Sequence, residues 1–228
     1  MRVAIGVSSG ELARYGIFWD SLIHVKGVSH DNVICGRGAN IATNRNGIAE
    51  RAIDWGFDFL WYVDDDQVFA PDTLDKLLAH DKDIVSGLYL NREVPWIPHV
   101  YRHDPEVGLW FPQLLKTSDK GLIEADSAGA GCLLVKTKVF KSMEKPWWRL
   151  GQCDKVNWSD DHDFLMRARE KGFKLYVDFD CPVGHQMNAT IWPTRDPKGE
   201  WHSALVQRHE AIALWPAAVA ELPKEPKK

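Results

Sequence analysis

The chain has no CxxC pair: its four cysteines, Cys35, Cys132, Cys153 and Cys181, are scattered along 228 residues. That spacing is poor for a zinc knuckle, and a chain this long needs no disulfide frame, so reduced, mostly buried thiols are expected. No GxxxxGK[ST] loop is present, which excludes a P-loop nucleotide site. No apolar run approaches the roughly 18–20 residues that cross a bilayer. The longest, Ala211 to Ala220, is broken by Pro216. The first residues, MRVAIGVSSGE, lack a signal-peptide apolar stretch, and a cytoplasmic location is the expectation. Excess positive charge is missing too. With 28 Lys and Arg against 32 Asp and Glu the formal charge is −4, so the chain as a whole does not attract a polyanion. There is no internal repeat.

Tryptophan is abundant. Eleven of them are many for this length, and they serve either as core or as stacking faces for sugars and bases. The hydrophobic fraction of 45% excludes wholesale disorder. Length suits one domain over 1–220, with a Pro/Lys/Glu-rich disordered tail over 221–228.

Strand-like apolar runs alternate with helical patterns in the first half. Val3 to Val7 reads as a buried strand closed by Ser8-Ser9-Gly10, and Leu12, Tyr15, Trp19 and Leu22 recur at helical spacing. A short strand over Asn32 to Cys35 and a helix over Asn40 to Trp55, stopped by Gly56, follow. Phe59 to Val63 is too short for a helix and reads as a fully buried strand. A helix opening at Pro71, a strand over Ile84 to Leu90 and an irregular stretch with short antiparallel strands from Asn91 to Glu124 come next. Then follow a strand over Cys132 to Val135, a short helix over Thr137 to Met143 and a Trp-rich loop to Trp158. The order ends with a helix over Asp160 to Lys171, a strand over Phe173 to Val177 and a helix near Ser203 to Leu214. Such βα units imply an α/β, Rossmann-like sheet flanked by helices, mixed but mainly parallel.

Three constellations carry chemistry. Asp64-Asp65-Asp66 ends a buried strand, where open α/β sheets bind ligands. Alternation sends Asp64 and Asp66 to one side, so the pair can share a hard divalent cation; a solvated acidic turn is the plain alternative. Ser159-Asp160-Asp161-His162-Asp163 gathers carboxylates at a helix start. Capping explains that pattern, and so does a general base for an acceptor hydroxyl. His185, after Gly184, gains meaning beside Asp66, since imidazole can complete a divalent site. His99 and His103 have HxxxH spacing, but Pro98 speaks against a helical metal pair. Gly129 and Gly131 allow either close backbone approach to a ligand or a tight turn.

The ordered set resembles the GT-A glycosyltransferases, in particular the family 2-like group. It comprises Arg45-Asn46 on a helix, a hydrophobic strand into Asp64-Asp65-Asp66, a Gly-rich turn before Cys132-Leu133-Leu134-Val135, Ser159-Asp160-Asp161 and a late Gly184-His185. The resemblance spans about Val3 to His185. It implies a GT-A fold and a metal-dependent transfer of a sugar from a nucleotide-diphosphate donor, UDP-sugar first, to a hydroxyl. By resemblance, Asp64 and Asp65 meet the donor, Asp64 and Asp66 with His185 hold Mn2+ or Mg2+, and Asp161 takes the place of the base; a candidate base favours an inverting displacement, with a retaining course the open alternative. Asp160 stands where the family carries Glu. Ser8, Ser9 and Arg45 would border the nucleotide, and Gly129, Ala130 and Gly131 the donor sugar. A nucleotidyltransferase of similar sheet and a noncatalytic nucleotide-sugar or carbohydrate-binding module are the alternatives. For the acceptor, a saccharide ranks ahead of a modified DNA base. Trp147, Trp148 and Trp158, interleaved with Lys145, Arg149 and Lys155, either stack on the sugars or bases of an anionic acceptor or lie buried beneath an exposed basic loop.

Overall fold

The computed structural model describes residues 1–8, 16–36, 40–92, 96–116, 118–153, 156–187, 190–195, 198, 201–207 and 210–216. Where sequence suggests one domain over 1–220, contacts divide the chain into two compact units, Met1–Gln186 and Met187–Lys228.

The first unit opens with β1 (Val3–Ser8), α1 (Gly16–His24), β2 (Val33–Cys35), α2 (Ile41–Asp54), β3 (Phe59–Asp64), β4 (Gln67–Val68), α3 (Thr73–Ala79) and β5 (Ile84–Leu88). The middle insert holds β6 (Val100–Asp104), β7 (Leu109–Pro112), β8 (Leu122–Ala125) and β9 (Ser127–Ala128). β10 (Cys132–Lys136), α4 (Thr137–Lys141), β11 (Gly151–Cys153), β12 (Val156–Trp158), α5 (Asp160–Glu170), β13 (Leu175–Pro182) and β14 (Gly184–His185) complete it.

Seven strands form the main sheet in the order β2-β1-β3-β10-β5-β13-β8. β2, β1, β3, β5 and β13 run one way; β10 and β8 run against them. This is the mixed, mainly parallel sheet expected. Both faces of β3 are covered, which is why Phe59–Val63 carries no polar alternation. Leu60 and Tyr62 enter one core with Ile48, Phe140, Trp148 and Phe164, while Trp61 and Val63 enter the other with Phe18, Leu22 and Leu74.

Two details of the sequence reading change. Trp19 is 40% exposed and Phe18 faces the core instead, so the apolar stripe of α1 is shifted by one residue; Leu12 and Tyr15 lie outside the described residues. The helix expected over Ser203 to Leu214 is absent. The second unit is an antiparallel meander of β15 (Thr190–Arg195), β16 (Trp201–Gln207) and β17 (Glu210–Pro216). The polar residues Gln207 to Glu210 split two apolar runs, each too short for a stable helix and each the length of a strand.

Asp160 to Lys171 behaves as read: Phe164, Leu165 and Ala168 are buried, and Gly172 follows at φ +88°. Cys132 and Cys181 are buried free thiols, and burial pushes the Cys132 thiol up to about 12. Among the described residues no helix is long and apolar enough to cross a membrane.

Candidate functional site

The site lies at the carboxyl ends of β1 and β3, where Ser8 pairs with Asp64. After Asp64 the chain turns sharply and β4 pairs antiparallel with β14, setting His185 opposite Gln67. The amide of Gln186 donates to the Asp66 carbonyl at 2.7 Å, fixing this join. His185 Nε2 therefore stands 3.5 Å from Asp66 Oδ1. Its Nδ1 sits 2.7 Å from the Leu90 carbonyl and donates to it, so Nε2 is the ring nitrogen turned to Asp66. Arg92 Nη1 lies 2.8 Å from the other oxygen, Oδ2. Burial would raise the Asp66 carboxyl, but the bond and charge of His185 and the charge of Arg92 outweigh it and hold it below the usual range.

Arg45 is 4% exposed, on the same face of α2 as Ile48, Ala49 and Ala52. One arm of its guanidinium reaches Asp160 Oδ2 at 2.8 Å, and the other reaches Asp64 Oδ1 and Oδ2 at 3.1 and 3.3 Å. Burial by itself would lower the arginine; Asp64, Asp160 and Asp161 overcome that and hold it charged. One cation serves the buried Asp160 and the part-buried Asp64, and desolvation pushes both carboxyls upward against the pull of Arg45. This buried fork ties the turn after β3 to the first turn of α5.

The acidic residues of that turn divide their work. Asp160 takes Arg45, while Asp163 takes Arg149 and Arg167, at 2.9 and 3.0 Å from their Nε atoms. Asp161 has no cationic partner among the described residues. Ser159 occupies the N-cap position, yet its side chain makes no capping bond and donates to Asp161 Oδ1 instead. Capping alone therefore does not account for this segment. The Asp161 charge acts on Arg45, Asp64, Tyr89, His99, Tyr101 and His162, which surround it.

The Gly-rich turn is required by close approach. The Gly131 amide donates to Tyr89 Oη at 3.1 Å, and a Cβ at Gly129 would come within 1.9 Å of that oxygen. At Gly131 a Cβ would meet Gln67 Nε2 at 2.9 Å and Asp64 Oδ2 at 3.2 Å. Ala130 and Asp65 are buried beside them. The buried Ser8 Oγ and Gln67 Oε1 have no hydrogen-bond partner among the described residues, as expected of groups kept for a ligand. Ser9 lies outside the described residues.

The Trp-rich loop is structural where it is described. Trp148, 1% exposed, stacks on Phe164 at 4.2 Å and donates to Tyr62 Oη at 2.9 Å. Both Trp147 and Trp148 donate backbone amides to Asn46 Oδ1, at 2.9 and 3.1 Å. The loop's cations are also spoken for: Lys145 pairs with Glu50 at 2.8 Å, and Arg149 with Asp163. The proposed aromatic-basic surface is thus not built from these residues. The Trp158 side chain and Lys155 lie outside the described residues.

Sequence reasoning missed Gln67, Tyr89, Arg92, Tyr101, Trp110 and His162. Only His162, beside Asp161, carried a usable signal. His99 and His103 do not form a metal pair, because the segment is strand: His99 stacks on Tyr89 at 5.0 Å, and His103 meets Trp110 at 4.8 Å.

The donor set suits a divalent cation. A carboxylate oxygen and the imidazole nitrogen not used by the Leu90 carbonyl face each other, and two protein donors leave positions for phosphate oxygens and water. Among the described residues no group of three His, Cys, Asp or Glu is placed to hold an ion by itself.

No protein-family model matches the chain, and no curated protein does. Solved structures do. The chain is similar to the crystal structure of A197 from STIV at TM-score 0.57 and 15% identity, covering 93% of this chain and 97% of that one. It is also similar to the crystal structure of GalNAc-T7 with UDP, GalNAc and Mn2+, at TM-score 0.55 and 12% identity. That match covers 81% of this chain and 43% of GalNAc-T7, so the chain spans under half of that neighbour's length. At this level of identity the likeness carries the architecture alone: the chain has the GT-A fold of glycosyltransferases.

Proposed function

We propose that the protein transfers a sugar from a nucleotide-diphosphate donor, a UDP-sugar first, to an acceptor hydroxyl with inversion at the anomeric carbon. The observation that carries the reading is the Arg45 fork, which ties the Asp64–Asp66 turn to the helix start that holds Asp161. One buried cation thereby joins the segments that carry a candidate metal pair and a carboxylate with no ion pair among the described residues. The UDP, GalNAc and Mn2+ of the GalNAc-T7 structure support the donor class.

Asp66 and His185 would hold the Mn2+ or Mg2+ together with the donor diphosphate. When bound, the ion supplies positive charge for the oxygen that leaves with UDP. Asp64, fixed by Arg45, borders the donor beside Gly131, and Ser8 lies at the nucleotide end. The acceptor oxygen attacks the anomeric carbon, the bond from that carbon to the β-phosphate oxygen breaks, and the acceptor proton passes to Asp161. Asp161 suits this role because, among the described residues, no cation forms an ion pair with it. Donor hydrolysis and transfer assays with a panel of nucleotide sugars and Mn2+ test the reading. Asp161→Asn is expected to lower turnover by about 10²–10⁴ while donor affinity stays near wild type. Wild-type turnover in that variant would remove Asp161 from the mechanism.

A further inference from the structure

We propose that the inner face of the β7–β6–β9 sheet, with His162, is the acceptor site, and that it takes an uncharged saccharide. The assignment rests on the transferase reading above and adds the substrate class and the residues that select it.

Strand alternation builds the wall. Tyr101 and His103 on β6 share a face with Trp110, which lies opposite His103 on β7, while Arg102, Leu109 and Phe111 fall on the other side. Ser127 on β9 lies opposite Tyr101, and its Oγ stands 2.6 Å from His162 Nδ1. The His162 ring stacks on Trp110 at 4.6 Å and meets Tyr101 edge-on at 4.8 Å. Tyr101 Oη lies 3.3 Å from His99 Nδ1, and His99 lies 6.1 Å, ring to ring, from His185. The rings thus run from the hairpin past Asp161 to the candidate metal ligand. All four of Tyr101, Trp110, His99 and His162 are half-buried, so each keeps part of its surface for a ligand.

His162 and Tyr101 are polar and neutral: burial holds His162 below the usual imidazole value against the pull of Asp161, and it raises Tyr101. His162 meets Ser127 Oγ through Nδ1, which leaves Nε2 to donate to or accept from a sugar hydroxyl, a group that does both. Aromatic faces suit the C–H faces of a pyranose. A polyanion would instead meet Asp161, with the neighbouring cations already paired. Arg45 holds Asp64 and Asp160, Arg149 and Arg167 hold Asp163, and Arg169 holds Asp126. Room is available as well. Trp110 also lines a cavity of about 360 Å³ with His103, Met166, the paired Asp126 and Arg169, and Glu170, and its indole Nε1 is buried without a partner among the described residues.

The test titrates full-length protein, saturated with UDP and Mn2+, with methyl glycosides of common hexoses, lactose, glucose 6-phosphate and a hydroxymethylated DNA duplex. At least one neutral sugar is expected to bind with no salt dependence and to shift the Trp110 Nε1–H resonance, identified through Trp110→Phe. Removing the stacking face in Trp110→Ala should weaken that sugar about 2- to 12-fold, and Trp110→Phe should restore most of the loss. Should Trp110→Ala fail to fold, the wild-type resonance shift carries the same test. Binding of the phosphorylated sugar or the duplex alone, with a steep salt slope, would overturn the proposal. So would neutral-sugar binding that leaves Trp110 unmoved, or no sugar binding at all. Failure of the wild type to bind UDP with Mn2+ is a separate result, which overturns the transferase reading beneath it.

Discussion

Arg92 Nη1 lies 2.8 Å from Asp66 Oδ2, on the carboxylate whose other oxygen faces His185. The guanidinium stands where an ion held by Asp66 must compete with it. Arg92 is nearly half exposed, and such a pair contributes about 0.2–1 kcal/mol. Arg92→Ala should therefore tighten Mn2+ binding to the nucleotide-free protein, by up to about five-fold, as read by paramagnetic resonance of free Mn2+. Equal or weaker binding in the variant would mean that the pair does not compete with the ion.

Among the described residues Arg45 is the one cation between the buried Asp160 and the part-buried Asp64, and removing it leaves both without an ion-pair partner there. Arg45→Met is expected to cost about 3–5 kcal/mol of stability in urea unfolding at neutral pH. Adding Asp64→Asn and Asp160→Asn removes the orphaned charges and should return most of that loss. A single variant as stable as wild type would show that the fork is not a structural anchor.

Burial holds His99 and His162 below the 6.5 of a free imidazole, so both fold neutral. As pH falls through 6.5 the unfolded chain takes up protons that the folded chain does not yet bind, and stability drops. The contribution is complete above that value and is lost down to the depressed folded value. The urea midpoint should fall between about pH 7.5 and 5.5, less steeply in the double variant His99→Gln, His162→Gln. Identical slopes would contradict the neutral-wall description.

Much of this was legible because local rules and tertiary packing agree. A strand as apolar as Phe59–Val63 must be central, so its abrupt end in three aspartates marks the carboxyl edge of the sheet, where Ser8 pairs with Asp64. Helix α5 was readable for the same reason, with its acidic start and Gly172 stop. Arg45 was half readable. Spacing puts it on the apolar face of α2 with Ile48 and Ala52, but nothing local announces Asp160, its partner 115 residues away. The aromatic wall was hidden by its brevity, since Tyr101-Arg102-His103 and Trp110-Phe111-Pro112 are too short for alternation to stand out. Trp148 went the other way. Its basic neighbours suggested a surface, while Asn46 and Tyr62, distant in sequence, draw it inside.

The central claim is that Asp66 and His185 together hold the ion on which donor binding depends. Calorimetric titration of UDP into wild type, Asp66→Ala and His185→Ala, with and without Mn2+, tests it most directly. The account predicts that Mn2+ strengthens UDP binding to the wild type and that each variant loses most of that gain. Unchanged, still Mn2+-dependent binding in both variants would contradict it.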